Sequence, residues 1–328
     1  MNSFGNLFRI TLYGESHSKT MGVIIDGVRP GLFIDYDLIR TDLARRRPSK
    51  TYETTRIEQD EFEITSGIKD GYATGAPMHI SISNSNFDSS IYEDIKHTPR
   101  PGTSDMVAYQ KYHGFNDYRG SGMFSGRLTV LYVVAGSIAK MMSPFAVSSR
   151  IKSIGSETKI EVMEQILEVV KKQKDSIGGV IEIKATKLIP GLGEPFFGKL
   201  TSEIARMMFS IPAVKGVDFG IGFEGVHLMG SEFIDEITDT KGTTKTNNAG
   251  GINAGISNGN DIIVNCFIKP ISSISKDLKT INLITNLEEV VHIEGKHDST
   301  ILNRIGVVLE AALHIVLLDQ LCLAKIHG

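Results

Sequence analysis

The sequence predicts an α+β fold built from layers of helices and sheets. Strand-like and helix-like runs come in clusters, and they do not alternate regularly as they do in a doubly wound parallel sheet. Several runs alternate apolar and polar residues, which is typical of strands with one buried face. The chain has no internal repeat, low-complexity tract or linker. We therefore expect residues 1–328 to form a single domain.

Two strand-like runs flank a turn near the N-terminus. The first places Phe8, Ile10 and Leu12 on one face, and the second covers residues 23–25. The turn between them carries Ser16 and His17. Turns held by strands often present reactive side chains, and a histidine there can exchange protons near neutral pH. Taken alone, the Ser-His adjacency indicates an ordinary turn, because neighbouring residues rarely point at each other.

Helices are predicted over residues 37–46 after the cap Asp35, and over 126–142, 161–172 and 202–210. The most apolar stretch, 301–325, contains Arg304, Glu310, His314 and Asp319. A membrane-spanning helix rarely carries so many ionisable groups. We therefore expect this stretch to be a core helix that is buried on most of its surface.

Further strands are predicted over residues 78–83, 180–185, 217–223 and 261–269. Residues 220–225 also match the pattern G-x-G-x-x-G. The residues that follow do not open a helix, as a dinucleotide-binding motif requires. These glycines are therefore expected to form tight turns.

Composition narrows the class of protein. Charged residues make up 22% of the chain and the formal net charge is −3, so neither a nucleic-acid partner nor a membrane partner is expected. The first five residues lack the basic start and apolar core of a signal peptide. Two cysteines, Cys266 and Cys322, indicate neither a disulfide framework nor a zinc site. A cytoplasmic enzyme without a metal is the simplest interpretation.

Three segments could bind a charged ligand, and each has an ordinary alternative. The arginines 45–47 suit phosphates and carboxylates, or they form a solvated basic face. The segment 269–273, Lys-Pro-Ile-Ser-Ser, offers an ammonium, two hydroxyls and backbone N–H groups to a phosphate, or it is a strand-end turn. In His297-Asp298 the aspartate either serves chemistry or, with Ser299, caps the following helix.

These segments and several others occur in the order and spacing of chorismate synthases, and the chain resembles that family over nearly its whole length. The matching motifs are Gly14-Glu15-Ser16-His17, Arg45-Arg46-Arg47-Pro48, Arg100-Pro101-Gly102, Lys111-Tyr112, Asp117-Tyr118-Arg119-Gly120, Gly191-Leu192-Gly193-Glu194-Pro195, Ala213-Val214-Lys215-Gly216-Val217, Asn248-Ala249-Gly250-Gly251-Ile252, the segment 269–273 and His297-Asp298.

The resemblance implies a lyase of the shikimate pathway of aromatic amino-acid biosynthesis. It would convert 5-enolpyruvylshikimate 3-phosphate to chorismate and phosphate by trans-1,4 elimination, with reduced FMN as cofactor and no net redox change. The implied fold places central helices between antiparallel sheets, and the implied assembly is a homotetramer. The alternative is a divergent paralogue with lost or altered activity that serves as an anion-binding or assembly partner.

The resemblance also implies residue roles. His17 would protonate the departing phosphate, and Asp298 would assist proton removal at the flavin. The substrate clamp would include Arg46, Arg45, Arg47, Arg119 and Arg127, together with Ser16, and Arg46 would also be tied to NADP binding. The implied FMN contacts are Met123, Phe124, Ser125, Ala213, Ala254, Lys269, Pro270, Ile271, Ser272, Ser273 and Lys296.

Six positions depart from the family pattern. Thr103 replaces an expected histidine and cannot act as an acid near pH 7. Met123 and Phe124 replace an arginine and a serine, Lys296 replaces an arginine, and Pro212 replaces an asparagine. Tyr52 stands where the family often has arginine. These changes predict weaker FMN binding than in ordinary family members.

Overall fold

Two antiparallel sheets lie on either side of a layer of helices in the computed structural model, which describes residues 2–50, 52–53, 59–84, 89–293 and 297–327. The strands are β1 (Ser3–Phe4), β2 (Arg9–Tyr13), β3 (Thr20–Asp26), β4 (Phe62–Ser66), β5 (Ile68–Lys69), β6 (Tyr72–Ala73), β7 (Met78–Ser83), β8 (Ala146–Ile154), β9 (Gly179–Thr186), β10 (Val214–Phe219), β11 (Ile252–Asn253), β12 (Ile256–Ser257), β13 (Ile262–Ile268), β14 (Asp277–Ile281) and β15 (Glu288–His292).

The α-helices are α1 (Tyr36–Arg45), α2 (Ser90–Asp94), α3 (Asp105–Lys111), α4 (Thr129–Met142), α5 (Ile160–Lys172), α6 (Leu200–Phe209), α7 (Gly230–Phe233) and α8 (Leu302–His327). Short 3₁₀ segments occupy Arg119–Phe124, Gly126–Leu128, Phe196–Gly198 and Gly222–His227. The predicted α+β class is confirmed.

The first sheet has the strand order β1-β2-β3-β7-β4 and is antiparallel throughout. Tyr13 pairs with Gly22, so β2 and β3 form a hairpin around the predicted turn. Phe8 and Ile10 are buried and Arg9 is exposed. The predicted strand, its inner face and the turn that carries His17 are therefore confirmed.

The second sheet has the order β10-β13-β9-β8. Cys266 in β13 pairs with Ile181 on one side and Val217 on the other, and burial raises the pKa of its thiol to about 12. The prediction that a strand covers residues 217–223 is wrong at its end, because β10 stops at Phe219. Gly220 and Gly222 turn the chain there with positive φ angles, which confirms their expected turn role.

The helix α8 packs against α4, α6 and the second sheet, while α4 also contacts β3 of the first sheet. A Cβ atom on Gly136 of α4 would lie 2.3 Å from the Cβ of Ala311 in α8. Only glycine at this position lets the two helices cross so closely. The core layer therefore depends on one small residue in each helix.

Two stretches, Arg119–Met142 and Leu302–Lys325, meet the length and hydropathy of a membrane span. In the protein, 61% of the first window and 83% of the second are buried. Such burial is typical of core helices, which agrees with the prediction for α8.

The polar groups of α8 contact other segments of the chain. The Asp319 carboxylate accepts hydrogen bonds of 2.8–3.0 Å from the backbone N–H groups of Asn6, Leu7 and Phe8. His314 is also buried, and its Nδ1 has no hydrogen-bond partner within the described part of the chain. Burial, together with repulsion from Lys140, lowers the pKa of His314 to about 4.

We predict that acidification from pH 7 to pH 5 removes about 2 kcal/mol of unfolding free energy through His314. Between its ordinary pKa of 6.5 and the lowered value of about 4, the histidine binds a proton in the unfolded chain but not in the folded protein. Stability must therefore fall as the pH drops through this window. Urea unfolding at the two pH values measures the loss.

The variant His314→Leu should lose less stability on acidification than the unmodified protein. His227→Leu changes an exposed histidine and serves as the control. If His314→Leu and the unmodified protein lose equal stability, His314 is not the group responsible.

Candidate active site

A cavity of about 460 Å³ opens where the end of α1, the start of α8 and the turn after β13 meet. Its lining combines polar and apolar side chains from widely separated parts of the sequence. They are Arg46, Arg47, Pro48, Asp60, Gly102, Thr103, Ser104, Ser121, Phe124, Gly126, Arg127, Thr129, Ile211, Pro212, Ala213, Lys269, Ile271, Ser272, Asp298, Ile301, Arg304, Ile305 and Val308.

Arg46 follows α1 as its C-cap residue, and its side chain is 9% exposed. Its Nη1 lies 3.3 Å from Oδ2 of Asp60, whose other oxygen binds Arg127. Its Nε donates to the Thr129 hydroxyl at 3.3 Å. Asp60 therefore holds two guanidinium groups side by side in the wall of the cavity.

A second ion pair lies at the start of α8. Arg304 Nη1 is 2.8 Å from Oδ2 of Asp298, and Arg304 Nε donates to the backbone carbonyl of Arg46 at 3.0 Å. The helix begins at Leu302, where the Thr300 hydroxyl accepts the Leu302 N–H at 3.4 Å. The Asp298 carboxylate thus pairs with a side chain in the first turn of α8, and its role as a cap of that helix stays a prediction.

The turn after β13 brings an ammonium group to the cavity. Lys269 Nζ donates to the Ser272 hydroxyl at 2.7 Å, and that hydroxyl donates to the Gly102 carbonyl at 2.6 Å. Burial, with a smaller contribution from Lys215, lowers the pKa of Lys269. An anion beside Lys269 would favour its charged form and so oppose both effects.

Charge defines what this cavity can bind. Five cationic side chains line it, against the two carboxylates Asp60 and Asp298. Guanidinium groups bind phosphate and carboxylate oxygens in pairs. The arrangement suits a small ligand with several negative charges. Within the described ranges, no group of histidine, cysteine or acidic side chains could hold a metal ion.

A second cavity of about 660 Å³ adjoins the first. Phe124, Pro212, Ala213 and Lys269 line both, whereas Met123 and Ser125 line only the second. Its remaining walls are largely apolar, and no carboxylate occurs among its described lining residues. Seven of the eleven predicted FMN-binding residues therefore line one or both of these adjoining cavities.

His17 and Ser16 lie outside both linings. A Cβ atom on Gly120 would lie 2.8 Å from His17 Nε2, so the turn Arg119–Gly122 covers the imidazole ring. The next residue, Ser121, faces the first cavity. The Ser16 hydroxyl is bonded at 3.0 Å to the Arg119 and Gly120 carbonyls. Only the thickness of this turn separates His17 from the cavity.

Two predicted clamp arginines are held elsewhere. Arg45 makes a two-fold contact with Glu310, at 2.6 and 2.7 Å, and Arg119 makes one with Asp117 at 2.8 Å. Neither lines the cavity, whereas Arg46 and Arg127 both do. The structure therefore brings together only part of the predicted clamp.

The remaining predicted residues divide in the same way. Ile271 and Ser272 line the first cavity, whereas Pro270 and Ser273 are outside both linings. Ala254 lies in the turn between β11 and β12, away from both. Lys296 falls outside the described residues.

Of the substituted positions, Thr103 lines the cavity, but its hydroxyl donates to the Arg100 carbonyl at 2.8 Å. Pro212 forms part of the wall shared by the two cavities. Tyr52 is buried, and its hydroxyl accepts a hydrogen bond from Asn303 at 3.1 Å. These side chains therefore have structural roles at positions where the family pattern has histidine, asparagine or arginine.

Sequence reasoning missed Asp60, Thr129 and Arg304 as site residues. For Arg304 a signal existed, because Ile301, Arg304, Ile305 and Val308 follow helical spacing and form one face of the start of α8. A lone arginine on an otherwise apolar face indicates a buried anionic partner. Asp60 had no such signal.

Comparison with known proteins identifies the family. The family model described as chorismate synthase matches residues 8–322. A chorismate synthase of Chitinophaga pinensis is 43% identical over 327 residues, covering 99% of this chain and 98% of the relative. One from Sulfolobus acidocaldarius is 40% identical over 350 residues, covering 97% of this chain and 90% of the relative.

A solved crystal structure of chorismate synthase superposes on this fold with a TM-score of 0.76 at 27% sequence identity. The match covers 99% of this chain and 94% of the other. It confirms the predicted arrangement of central helices between antiparallel sheets. The chain belongs to the chorismate synthase family, as its motifs predicted, and is therefore a lyase.

Proposed function

We propose that this protein converts 5-enolpyruvylshikimate 3-phosphate to chorismate and inorganic phosphate in the first cavity. One observation carries the assignment to this site: five cationic side chains and two carboxylates line a cavity of about 460 Å³. The substrate bears a phosphate and two carboxylates, so its negative charges match this excess of positive charge. Family membership supplies the reaction itself.

The reaction breaks the bond between carbon 3 and the phosphate oxygen and removes a proton from carbon 6. A new double bond forms, and the overall redox state does not change. Arg46, Arg127 and Arg304 would neutralise the charge that develops on the departing phosphate. Because Asp60 holds Arg127 and Asp298 holds Arg304, these two guanidinium groups need little reorganisation during the reaction.

The residues present fit reduced FMN as the cofactor. Lys269 and Ser272 would hold the phosphate, since burial and Lys215 disfavour the Lys269 charge when no anion is near. Met123, Phe124 and Ala213 would pack against the flavin ring at the boundary of the two cavities. When bound, the reduced flavin supplies electron density transiently and accepts the proton. Further contacts with FMN would come from Ser125, Ala254, Pro270, Ile271, Ser273 and Lys296.

Two side chains would move protons. Asp298 is held by Arg304 at the cavity wall and would assist removal of the carbon 6 proton. His17 would protonate the phosphate, and this requires the turn Arg119–Gly122 to shift aside. Such a shift would accompany substrate binding, since catalytic contacts often form only in the substrate complex. Ser16, beside His17, would orient that turn and the substrate.

The alternative of a non-catalytic paralogue rests on Thr103, Met123 and Phe124. Relatives at about 40% identity over nearly the full chain are named chorismate synthases, which favours the active enzyme. In this structure Thr103 caps a local turn and Phe124 forms a cavity wall. Neither change closes the cavity.

We further propose that residues 1–328 form a single domain and that the protein assembles as a homotetramer in the cytoplasm. Arg46 would also bind NADP. One hydrophobic cluster includes residues of both sheets and the central helices, which supports the single domain. Val226, Met229 and Ile237 are 74–76% exposed on the segment after β10, and such apolar exposure is typical of a subunit contact. Chromatography with light scattering tests the assembly.

We predict that Arg46→Gln lowers kcat/KM for chorismate formation by about 10–100-fold, since each lost hydrogen bond to a charged group costs about 1.5–3 kcal/mol. An anaerobic assay with reduced FMN measures this. Arg40→Gln, an exposed change on the same helix, is the matched control and should leave the rate unchanged. Equal rates for both variants would contradict the assignment of substrate binding to this cavity. If the unmodified protein formed no chorismate, the proposed function would be excluded.

We expect His17→Ala to lower kcat by about 10²–10⁴-fold, the usual contribution of a general acid. His79→Ala, which changes a partly buried histidine bonded to Tyr13, is the control. Circular dichroism checks folding. A rate within twofold of the unmodified protein would remove His17 from the mechanism.

FMN binding should be weaker than in ordinary family members, because Met123 and Phe124 replace two polar contacts. We predict that Met123→Arg with Phe124→Ser tightens binding by at least about 10-fold, as expected for one regained hydrogen bond to a charged group. Fluorescence titration of oxidised FMN, with and without substrate, measures the dissociation constant. Tight binding by the unmodified protein contradicts this prediction, and no binding by the double variant favours the non-catalytic alternative.

A further inference from the structure

The central helix α8 holds the chain on both sides of Arg46. Glu310 binds the side chain of the preceding residue, Arg45, and Arg304 binds the backbone carbonyl of Arg46 itself. Arg304 lines the cavity, whereas Glu310 and Arg45 do not. The Glu310–Arg45 pair is therefore outside the site and yet one residue from its principal arginine.

The contacts of this pair are short and directional. Arg45 Nη1 and Nη2 lie 2.6 and 2.7 Å from the two carboxylate oxygens of Glu310, and the Ser149 hydroxyl donates to Glu310 Oε1 at 2.7 Å. The Glu310 side chain is 8% exposed. A two-fold contact between planar groups fixes distance and orientation together.

The hydrogen bonds of the Arg46 guanidinium are longer. Its contacts with Asp60, Thr129 and the Gly126 and Arg127 carbonyls measure 3.3–3.4 Å, at or beyond the upper limit for such bonds. Bonds of this length constrain a guanidinium less than the two-fold contact of Arg45 with Glu310 does. The backbone at the end of α1 sets which of these partners the Arg46 guanidinium can reach.

We propose that Glu310 is a positioning residue that sets the place of Arg46 in the cavity by anchoring Arg45 to α8. The proposal rests on the proposed function. Arg45 would then act as an anchor and would not contact the substrate, because both of its terminal nitrogens bind Glu310. A shift of about 1 Å at a charged clamp is enough to weaken substrate binding substantially.

The test uses a double-mutant cycle on the full-length protein with Arg45→Gln, Glu310→Gln and the double variant. We expect each single variant to raise both KM and the calorimetric dissociation constant for 5-enolpyruvylshikimate 3-phosphate by about 10-fold, and to lower kcat as well, because Arg46 also meets the charge that develops on the departing phosphate. The double variant should bind no more weakly than the weaker single variant. Arg45→Lys keeps the charge but loses the two-fold contact. Its KM and dissociation constant should lie between those of the unmodified protein and Arg45→Gln.

Asp319→Asn is the matched structural control, since Asp319 is another buried carboxylate of α8, and its hydrogen bonds run to the backbone N–H groups of residues 6–8 and the Asn6 side-chain amide, far from the cavity. It should lower the melting temperature and leave KM unchanged. If Glu310→Gln leaves KM unchanged while Arg45→Gln raises it, Arg45 contacts substrate directly and the proposal is wrong. Unchanged KM in both variants, or a rise matched by Asp319→Asn, also overturns it.

The binding measurement separates this proposal from the proposed function. If the unmodified protein binds the substrate but forms no chorismate, the activity assignment fails while the dissociation constants still test Glu310. If it does not bind the substrate, the proposed function and this inference both fail.

Discussion

The structure depends on the burial of α8. A helix enclosed on most of its surface cannot leave its charged side chains in water, so these side chains take partners on other segments, whereas His314 is buried with its Nδ1 unbonded among the described residues. Asp319 binds the backbone near the N-terminus, Glu310 binds the end of α1 and strand β8, and Arg304 binds Arg46 and Asp298. The buried polar groups thereby fix where distant parts of the chain meet.

This arrangement explains why the site lies at the start of α8. The helix brings Arg304 to the end of α1, and the close crossing at Gly136 and Ala311 places α4 beside it. Arg127 and Thr129 then reach the same cavity from the segment that precedes and opens α4. Five cationic side chains of different elements converge there against only two carboxylates among the described lining residues. Their repulsion is tolerated because core packing elsewhere holds the elements in place.

Two of the substituted positions lie at the boundary of the two cavities. Phe124 and Pro212 form walls of both, so the polar side chains of the family pattern are replaced by apolar surface where the flavin ring is proposed to lie. Apolar walls retain the shape that a planar ring needs while removing directional hydrogen bonds. The expected consequence is a change in cofactor affinity rather than a loss of the site.

Local pattern in the sequence was enough to predict the strands around His17, the cap at Asp35, the core character of α8 and the turn glycines Gly220 and Gly222. Each of these depends on neighbours within a few residues, where apolar spacing and backbone geometry decide the outcome. The motifs also identified the family and placed Arg46, Arg127, Lys269 and Asp298 among the site residues. Tertiary structure alone decided that Asp60 joins two of the arginines, that Arg45 turns to Glu310, and that a turn separates His17 from the cavity. Those outcomes depend on pairs of residues far apart in the chain, and Arg45 and Glu310 are separated by 265 positions. No local sequence pattern shows which charged groups long-range packing brings together.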